Sequence, residues 1–149
     1  MSDKVKLEVA DAVAVITNDN PGKHNAFDDE MDVRLFEILA ELAGRSDVRA
    51  AVWRGEGKSW SSGRDVAAIG GSQVELTHHQ LMRRGHKGIL QVFDLDFPII
   101  VAIQGWAMGG SFQRALLCDV RIAADDGHTE AGVGRAVRPN RPPQAASRW

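Results

Sequence analysis

The sequence has little cysteine and no long hydrophobic run. Cys118 is the one cysteine among 149 residues, which excludes an internal disulfide and is typical of a reducing compartment. It follows the apolar residues 115–117, so a buried, inert thiol is favoured over a nucleophile. The longest apolar run, 97–103, is far too short to cross a bilayer. Because the first residues, MSDKVK, also lack the apolar core of a signal peptide, we predict a cytoplasmic protein.

An excess of positive charge is absent as well. The formal net charge is −2, which argues against nucleic acid or an anionic membrane surface as the main partner. Hydrophobic residues make up 44% of the chain and charged residues 26%, an ordinary globular composition. A chain of 149 residues suffices for one domain with a real core.

The composition changes in the last part of the chain, residues 127–149. This part carries four Lys and Arg against one Asp and Glu, and it contains no Leu, Ile, Phe or Met. Such a segment has little apolar surface to bury, so we predict a core in residues 1–126 followed by a poorly ordered Arg/Pro/Gly-rich tail. One hypothesis for the abrupt change is an out-of-frame reading of a GC-rich gene.

Strand and helix patterns alternate along the core. Residues 5–16 predict a hairpin, half exposed and then buried. Asp28 is the predicted N-cap of a helix that ends near Gly44. The apolar residues at helical spacing in it are Met31, Leu35, Ile38, Leu39 and Leu42. Further buried strands are predicted at 48–57, 98–103 and 120–124, with helices at 74–94 and 111–118. This alternation predicts an α/β fold with a largely parallel sheet.

A doubly wound nucleotide-binding fold would also give this alternation, but its motifs are missing. Residues 57–59, Gly-Lys-Ser, resemble the end of a phosphate-binding loop, which needs a glycine at position 52, where Val52 stands. No G-x-G-x-x-G follows a predicted strand. A metal site is disfavoured too. His78, His79 and His86 fit a solvated helix face, and zinc would need a third convergent ligand.

Two loops, 61–65 and 105–111, each follow a predicted buried strand and lead into a helix. Gly109 and Gly110 require an explanation, because glycine loses more backbone entropy on folding than any other residue. One explanation is tight packing of a strand–helix corner. The other is close approach of a ligand to the backbone at a helix N-terminus. Two backbone N–H groups aimed at one point form an oxyanion hole, which stabilises negative charge on a thioester oxygen.

Four stretches resemble, in order and spacing, the crotonase superfamily, the enoyl-CoA hydratase/isomerase group. They are NPGKHNAF (20–27), GEGKSWSSGRDV (55–66), PIIVAIQGWAMGG (98–110) and LLCDVRIAADD (116–126). The resemblance implies an α/β crotonase (ClpP-like) fold, a spiral of ββα units that is incomplete here after about residue 126. It also implies an acyl-CoA thioester substrate, a homo-oligomer built as a trimer or a dimer of trimers, and no cofactor, since coenzyme A is part of the substrate.

By position, the resemblance puts the oxyanion-hole N–H groups on Arg64 and Gly110. The residues that it places around coenzyme A and the thioester are Lys23, His24, Asn25, Ala26, Ser62, Asp65, Val66, Ala67 and Gly109. Lys23 and His24 are suitable partners for CoA phosphates. A solvated loop position is an equal alternative for His24, and for Asp65 the favoured alternative is capping of the helix that follows.

The sequence departs from the family pattern at both glutamates that position and activate water in its hydratases. The first position is Gln113, whose amide can hold a water but cannot act as its base. The second is Val133, and Glu130 lies three residues away in sequence unlike the family. Hydration is therefore not assured, and isomerisation or another enolate reaction fits equally well, with the acid and base expected from residues absent from this chain. The alternative is a non-catalytic fragment or pseudoenzyme that binds CoA ligands or partner subunits without turnover.

Overall fold

A five-stranded sheet forms the centre of the fold. The computed structural model describes residues 3–68, 77–125 and 128–130. Its strands are β1 (Val5–Ala10), β2 (Val13–Asn18), β3 (Ala50–Gly55), β4 (Ile99–Ile103), β5 (Trp106–Met108), β6 (Val120–Ala123) and β7 (His128–Glu130). Its α-helices are α1 (Asp29–Ala43), α2 (His78–Ile89) and α3 (Gly109–Leu117).

The order of strands in the main sheet is β1-β2-β3-β4-β6, and β5 pairs separately with β7. β1 and β2 are antiparallel, and the turn between them consists of Asp11 and Ala12, with φ angles of 51° and 63°. Positive φ at both positions is typical of the two-residue hairpin turn that matches strand twist. All other strand pairs are parallel. The expected α/β class with a largely parallel sheet is therefore confirmed.

Helix α1 packs its apolar stripe into the core. The five predicted apolar residues are all fully buried: Met31, Leu35, Ile38, Leu39 and Leu42. Asp28 Oδ1 accepts a hydrogen bond from the Met31 backbone N–H at 2.9 Å, and Gly44 is the C-cap. Both helix boundaries predicted from the sequence are thus confirmed, because capping chemistry is local and readable without tertiary structure.

Two buried tryptophans connect the sheet to the loop after β3. The rings of Trp53 and Trp60 meet edge to face with their centroids 5.2 Å apart. The buried Asn18 side chain accepts from Trp53 Nε1 at 2.9 Å and donates to the Trp60 carbonyl at 3.0 Å. Because one end of this amide is paired with β3 and the other with the loop that follows it, the amide fixes the direction in which the loop leaves the sheet.

Helix and strand boundaries differ from expectation in three places. The helix predicted at 74–94 is α2 followed by a 3₁₀ helix, Leu90–Asp94, and residues 74–76 lie outside the described ranges. β5 falls in a stretch interpreted as a loop, because three residues between glycines are too few to show alternation. Helix α3 begins two residues before the predicted start at Ser111. Among the described residues, no helix has the length and hydropathy needed to cross a membrane.

Strand β6 is expected in the core but is exposed, so that prediction is wrong for the described part of the chain. Val120 and Ile122 are 42% and 51% exposed, and Leu116 on the preceding helix is 49% exposed. β6 is the outermost strand of the main sheet. No element within residues 3–68, 77–125 and 128–130 pairs with its outer edge, so apolar composition alone did not determine burial.

Two glycines of α2 offer a matched test of its packing on α1. A Cβ at Gly88 would overlap the ring of Phe36, whereas one at Gly85 would meet open space. We expect Gly88→Ala to lower the free energy of unfolding by about 1–3 kcal/mol through overpacking. Gly85→Ala should raise it by about 0.5–1 kcal/mol, because alanine is the better helix former. Urea denaturation measures both, and equal effects would contradict this packing.

Candidate active site

Residues 61–65 are hydrogen-bonded to neighbours on both sides. Toward β5, the Ser61 N–H donates to the Trp106 carbonyl at 2.9 Å, and the Met108 N–H donates to the Ser61 carbonyl at 3.1 Å. Toward the loop before α1, the Ser62 N–H donates to the His24 carbonyl at 2.9 Å. The two loops that the sequence singled out are therefore adjacent, and the loop before α1 completes a three-segment platform, residues 23–27, 61–65 and 106–110.

Gly63 permits the closest approach within this platform. Its φ angle is +95°, and a Cβ there would lie 2.8 Å from the Met108 carbonyl oxygen and 3.8 Å from the Gly109 Cα. A larger residue would both strain the backbone and push the two segments apart. Arg64 and Gly110 each follow one of these two glycines in the sequence. Their backbone N–H groups are therefore next to the contact between the two segments.

Among the described residues, the backbone N–H groups of Arg64 and Gly110 have no hydrogen-bond partner. The Phe27 N–H donates to the Gly63 carbonyl at 2.8 Å, and the Phe27 carbonyl accepts from the Asp65 N–H at 2.9 Å. Arg64 lies between these two bonded residues. In a parallel pairing of this kind, the N–H of the residue between points away from the partner strand. Within the described ranges, Arg64 donates no backbone hydrogen bond. Gly110 stands in the first turn of α3, where amides have no intrahelical acceptor and no side chain caps them.

Open space lies beside the start of α3. Gly109 and Gly110 are exposed, and a Cβ built on either meets no heavy atom within 4 Å. Gly109 has a φ of +53°. A buried hydrogen bond of 2.7 Å between Ser61 Oγ and Ser111 Oγ ties this helix start to the 61–65 segment. Two explanations for the glycine pair follow from the sequence, ligand approach and tight packing, and no described residue packs against a Cβ built on either glycine. Ligand approach stays a prediction.

Asn25 is a clamp within the platform, which corrects its expected place among the ligand-contacting residues. It is fully buried with a φ of 54°, a conformation that asparagine tolerates. Its Nδ2 donates to the carbonyls of Glu56 at 2.9 Å and Ser59 at 2.7 Å, and its Oδ1 accepts from the Asn20 N–H at 2.7 Å. With every polar atom of the amide occupied, Asn25 holds two loops together.

His24 is exposed and its ring is anchored. His24 Nδ1 lies 3.0 Å from Ser59 Oγ, and the residue has a positive φ of 50°. Ser62 Oγ donates to the Lys23 carbonyl at 3.3 Å. Ala26 is buried. These residues lie together in one segment of the platform and its neighbour, and their contact with coenzyme A stays a prediction.

Asp65 caps the short 3₁₀ helix Val66–Ala68. Its Oδ1 accepts from the Ala67 N–H at 3.0 Å, and its Oδ2 accepts from Lys23 Nζ at 2.7 Å. Lys23 is exposed and Asp65 is largely buried. The hydrogen bond from Lys23 is the main cause that holds the pKa of Asp65 below its ordinary value. The structure thus shows Asp65 as a helix cap, the alternative favoured from the sequence. Val66 and Ala67, the first two residues of this short helix, are exposed.

A cluster of arginines and aspartates lies beneath the platform and was not predicted. Asp32 accepts from Arg64 Nη1 at 2.8 Å and from Arg114 Nη2 at 2.6 Å. Asp29 accepts from Arg64 Nη2 at 2.5 Å and from Arg84 at 3.3 Å. A signal was available in the sequence: Asp32 and Arg114 occupy helical positions that share a face with buried apolar residues.

Gln113 is exposed on α3, one turn from Gly110. The β7 register sets Glu130 opposite Met108, which brings the backbone of Glu130 close to the site, and Val133 lies outside the described ranges. His79 and His86 are exposed, and no metal-binding group of His, Cys, Asp or Glu occurs among the residues described.

Cys118 is a buried structural thiol, as the sequence indicated. Its Sγ lies 3.3 Å from the Arg114 carbonyl oxygen. Burial is the largest of the effects that raise the pKa of this thiol to about 12. A nucleophilic cysteine needs a lowered pKa and access to solvent, and Cys118 has neither.

The sequence matches the enoyl-CoA hydratase/isomerase family over residues 8–133. The chain belongs to this family. It is 36% identical over 121 residues to the probable enoyl-CoA hydratase EchA14 of Mycobacterium tuberculosis, covering 81% of this chain and 47% of that protein. It is 32% identical over 125 residues to the fatty acid oxidation complex subunit alpha of Shewanella oneidensis, covering 83% of this chain and 18% of that protein.

Solved structures give the same enoyl-CoA hydratase/isomerase fold. A Streptomyces coelicolor protein assigned as an enoyl-CoA hydratase superposes with a TM-score of 0.73 at 36% identity, covering 80% of this chain and 45% of that one. An enoyl-CoA hydratase/carnithine racemase from Magnetospirillum magneticum gives 0.77 at 25% identity, covering 87% and 49%. The expected crotonase fold is confirmed. The chain spans about half the length of the enoyl-CoA hydratases it matches.

Removing the Lys23 ammonium should raise the pKa of Asp65. In Lys23→Met, we expect this pKa to move toward its ordinary value, with the Ala67 hydrogen bond preserving part of the depression. Because the pKa of folded Asp65 is lowered, the ion pair stabilises the fold above the ordinary aspartate pKa of about 3.9 and is lost as pH falls through the lower folded value. Carboxyl-carbon NMR titration measures the shift. Lys58→Met, which removes an exposed charge nearby, is the control; an unchanged Asp65 pKa in Lys23→Met would contradict the assignment.

Proposed function

We propose that this chain binds an acyl-CoA thioester and stabilises its enolate. The thioester oxygen accepts hydrogen bonds from the Arg64 and Gly110 backbone N–H groups. The observation that carries this proposal is a pair of N–H groups that have no partner among the described residues and that follow the contacting glycines, Gly63 and Gly109. Family membership supplies the substrate class, and the open space at Gly110 gives the oxygen room to approach.

The electrostatics of the platform suit this role. Loss of one oxyanion-hole donor costs about 2.7–4 kcal/mol of barrier, because fixed donors need no reorganisation when charge develops. The positive end of the α3 dipole adds to the Gly110 donor. On the other side of the platform, Lys23 and His24 are exposed, and we assign them to the phosphate-bearing part of coenzyme A. Ser62, Val66 and Ala67 flank the pantetheine and the thioester.

Gln113 restricts which proton transfers the described residues could perform. Its amide can orient a water molecule beside Gly110 but cannot accept a proton from it near neutral pH. We therefore assign thioester polarisation to the described residues and leave the enolate reaction, hydration or isomerisation, to an acid–base group elsewhere. The rival function is binding of CoA ligands or partner subunits without turnover, which the lack of a carboxylate at position 113 favours.

A homo-oligomer is the second part of the proposal. Leu116 on α3 and Val120 and Ile122 on β6, the outermost described strand of the main sheet, carry exposed apolar side chains. At about 25 cal/mol per Å², a few hundred Å² of exposed apolar surface forfeits several kcal/mol, which is why monomers rarely tolerate larger patches. A neighbouring subunit that covers this edge would recover that free energy.

Binding of a chromophoric substrate tests the oxyanion hole. An aryl-conjugated enoyl-CoA should absorb at longer wavelength when bound, because hydrogen bonds polarise its carbonyl. In Gly110→Ala, a methyl group beside the N–H obstructs the oxygen, so we expect most of this red shift to vanish and any turnover to fall by about 100-fold. Stability should be retained, because a Cβ at Gly110 meets no neighbour.

Gly85→Ala, another glycine with open space around it, is the matched control and should bind and shift the chromophore as the unaltered chain does. A red shift accompanied by hydrated or isomerised product supports the enzyme. A red shift without product supports the binding protein. Binding without a red shift, or no binding, would overturn the proposed site.

Light scattering after size-exclusion chromatography tests the oligomer. We expect the 149-residue chain to elute as an assembly larger than a monomer. Ile122→Lys places a charge on the exposed edge and should shift the chain toward monomer. Val33→Lys introduces the same charge at an exposed position of α1 and should not. A monodisperse monomer for the unaltered chain would refute this part of the proposal.

A further inference from the structure

One carboxylate joins the two segments that carry the proposed oxyanion donors. Asp32, on α1, is largely buried and binds Arg64 through Oδ2 at 2.8 Å and Arg114 through Oδ1 at 2.6 Å. Arg64 provides one donor N–H from its own backbone. Arg114 lies on α3, the helix whose first turn provides the other donor at Gly110. Each carboxylate oxygen of Asp32 thus binds an arginine from a different one of the two segments that carry the proposed donors.

Each arginine has a second fixed contact, so the connection is stiff. Arg64 also binds Asp29 at 2.5 Å. The Arg114 guanidinium lies 4.4 Å from the centre of the Phe27 ring. Phe27 in turn bonds through its backbone to the residues on either side of Arg64. The contacts therefore form a closed circuit from α1 through the 61–65 segment to α3.

Guanidinium groups are suited to this task because their donors form a rigid, planar fork that keeps its charge at any physiological pH. The Nη1 of Arg114 is buried and has no hydrogen-bond partner among the described residues, so Asp32 is the carboxylate on which its burial depends. Without the Asp32 charge, the two guanidinium groups would repel each other, and the Arg114 charge would be uncompensated.

We infer that Asp32 is a positioning residue that sets the spacing between the Arg64 and Gly110 N–H groups. This inference rests on the proposed function, since spacing matters only if both amides bind one oxygen. Catalytic groups must be held within about 0.5 Å of their productive geometry, and side-chain contacts behind them supply that precision. Asp32 touches no substrate atom in this scheme; it acts through the two arginines.

The test compares Asp32→Asn with Asp47→Asn. Both variants neutralise an aspartate that is paired with arginine, but Asp47 pairs with Arg45 at the exposed end of α1, away from the platform. With the aryl-conjugated enoyl-CoA bound, Asp32→Asn should move the absorption maximum back toward that of the free thioester while the Kd changes little. A purely structural role would lower the amplitude, through loss of folded protein, without moving the maximum. Asp47→Asn should leave both unchanged.

Hydrogen exchange of the unliganded chain provides a second readout that needs no ligand. The inference predicts faster exchange in Asp32→Asn within residues 61–65 and at the start of α3 together, with the end of α1 unaffected. Uniform acceleration along the chain, or an unchanged absorption maximum in a variant that binds, would overturn the inference. If the unaltered chain itself gives no red shift, the proposed function fails, and the exchange pattern still decides whether Asp32 couples the two segments.

Discussion

The site depends on a short stretch of chain that behaves like a central strand outside the main sheet. Residues 61–65 exchange backbone hydrogen bonds with β5 on one side and with the loop before α1 on the other. Three polar segments can be buried together only because each satisfies the others, since an unpaired backbone group in this position would cost about 1–3 kcal/mol. The proposed function assigns the Arg64 and Gly110 amides, which have no partner among the described residues, to the ligand.

The proposed function gives the platform the task of stabilising negative charge and not that of moving protons. Its outward-facing groups are N–H donors, a helix N-terminus, an exposed lysine and an exposed histidine. The carboxylates nearby are engaged: Asp65 with Lys23 and the cap, and Asp29 and Asp32 with arginines. At position 113, where the family places a base, the chain has an amide. The proposed function thus separates polarisation of a thioester, at the platform, from transfer of its proton, by groups elsewhere.

Sequence patterns predicted the local features well, because helix caps, apolar spacing and turn residues act over a few positions. Asp28 and Gly44 bound α1 as expected, and the paired loops proved to be neighbours. Failures arose where the outcome depends on a distant partner. β6 is apolar enough for a core, yet it stands at the edge of the sheet. Asn25 was expected to contact ligand, yet three backbone groups occupy its amide, two of them 31 and 34 positions away.

The arginine–aspartate cluster also could not be predicted from the sequence, because its members are distant along the chain. A charged residue on an apolar helix face indicates that a partner exists, but spacing along one helix cannot say which. Asp32 meets residues 32 and 82 positions away in the sequence. Only the packing of α1 against both loops identifies them.

The separation of the platform's parts along the chain has a consequence for folding. The Ser61 hydroxyl bonds to Asn25 and to Ser111, which are 36 and 50 residues away from it. Contacts of such long range form after local helices and turns, because the entropy of closing the intervening loops must be met first. No fragment that ends before Ser111 can assemble the site. The site would therefore form late during folding. Binding of a ligand that requires the complete site would then indicate that the native state has formed.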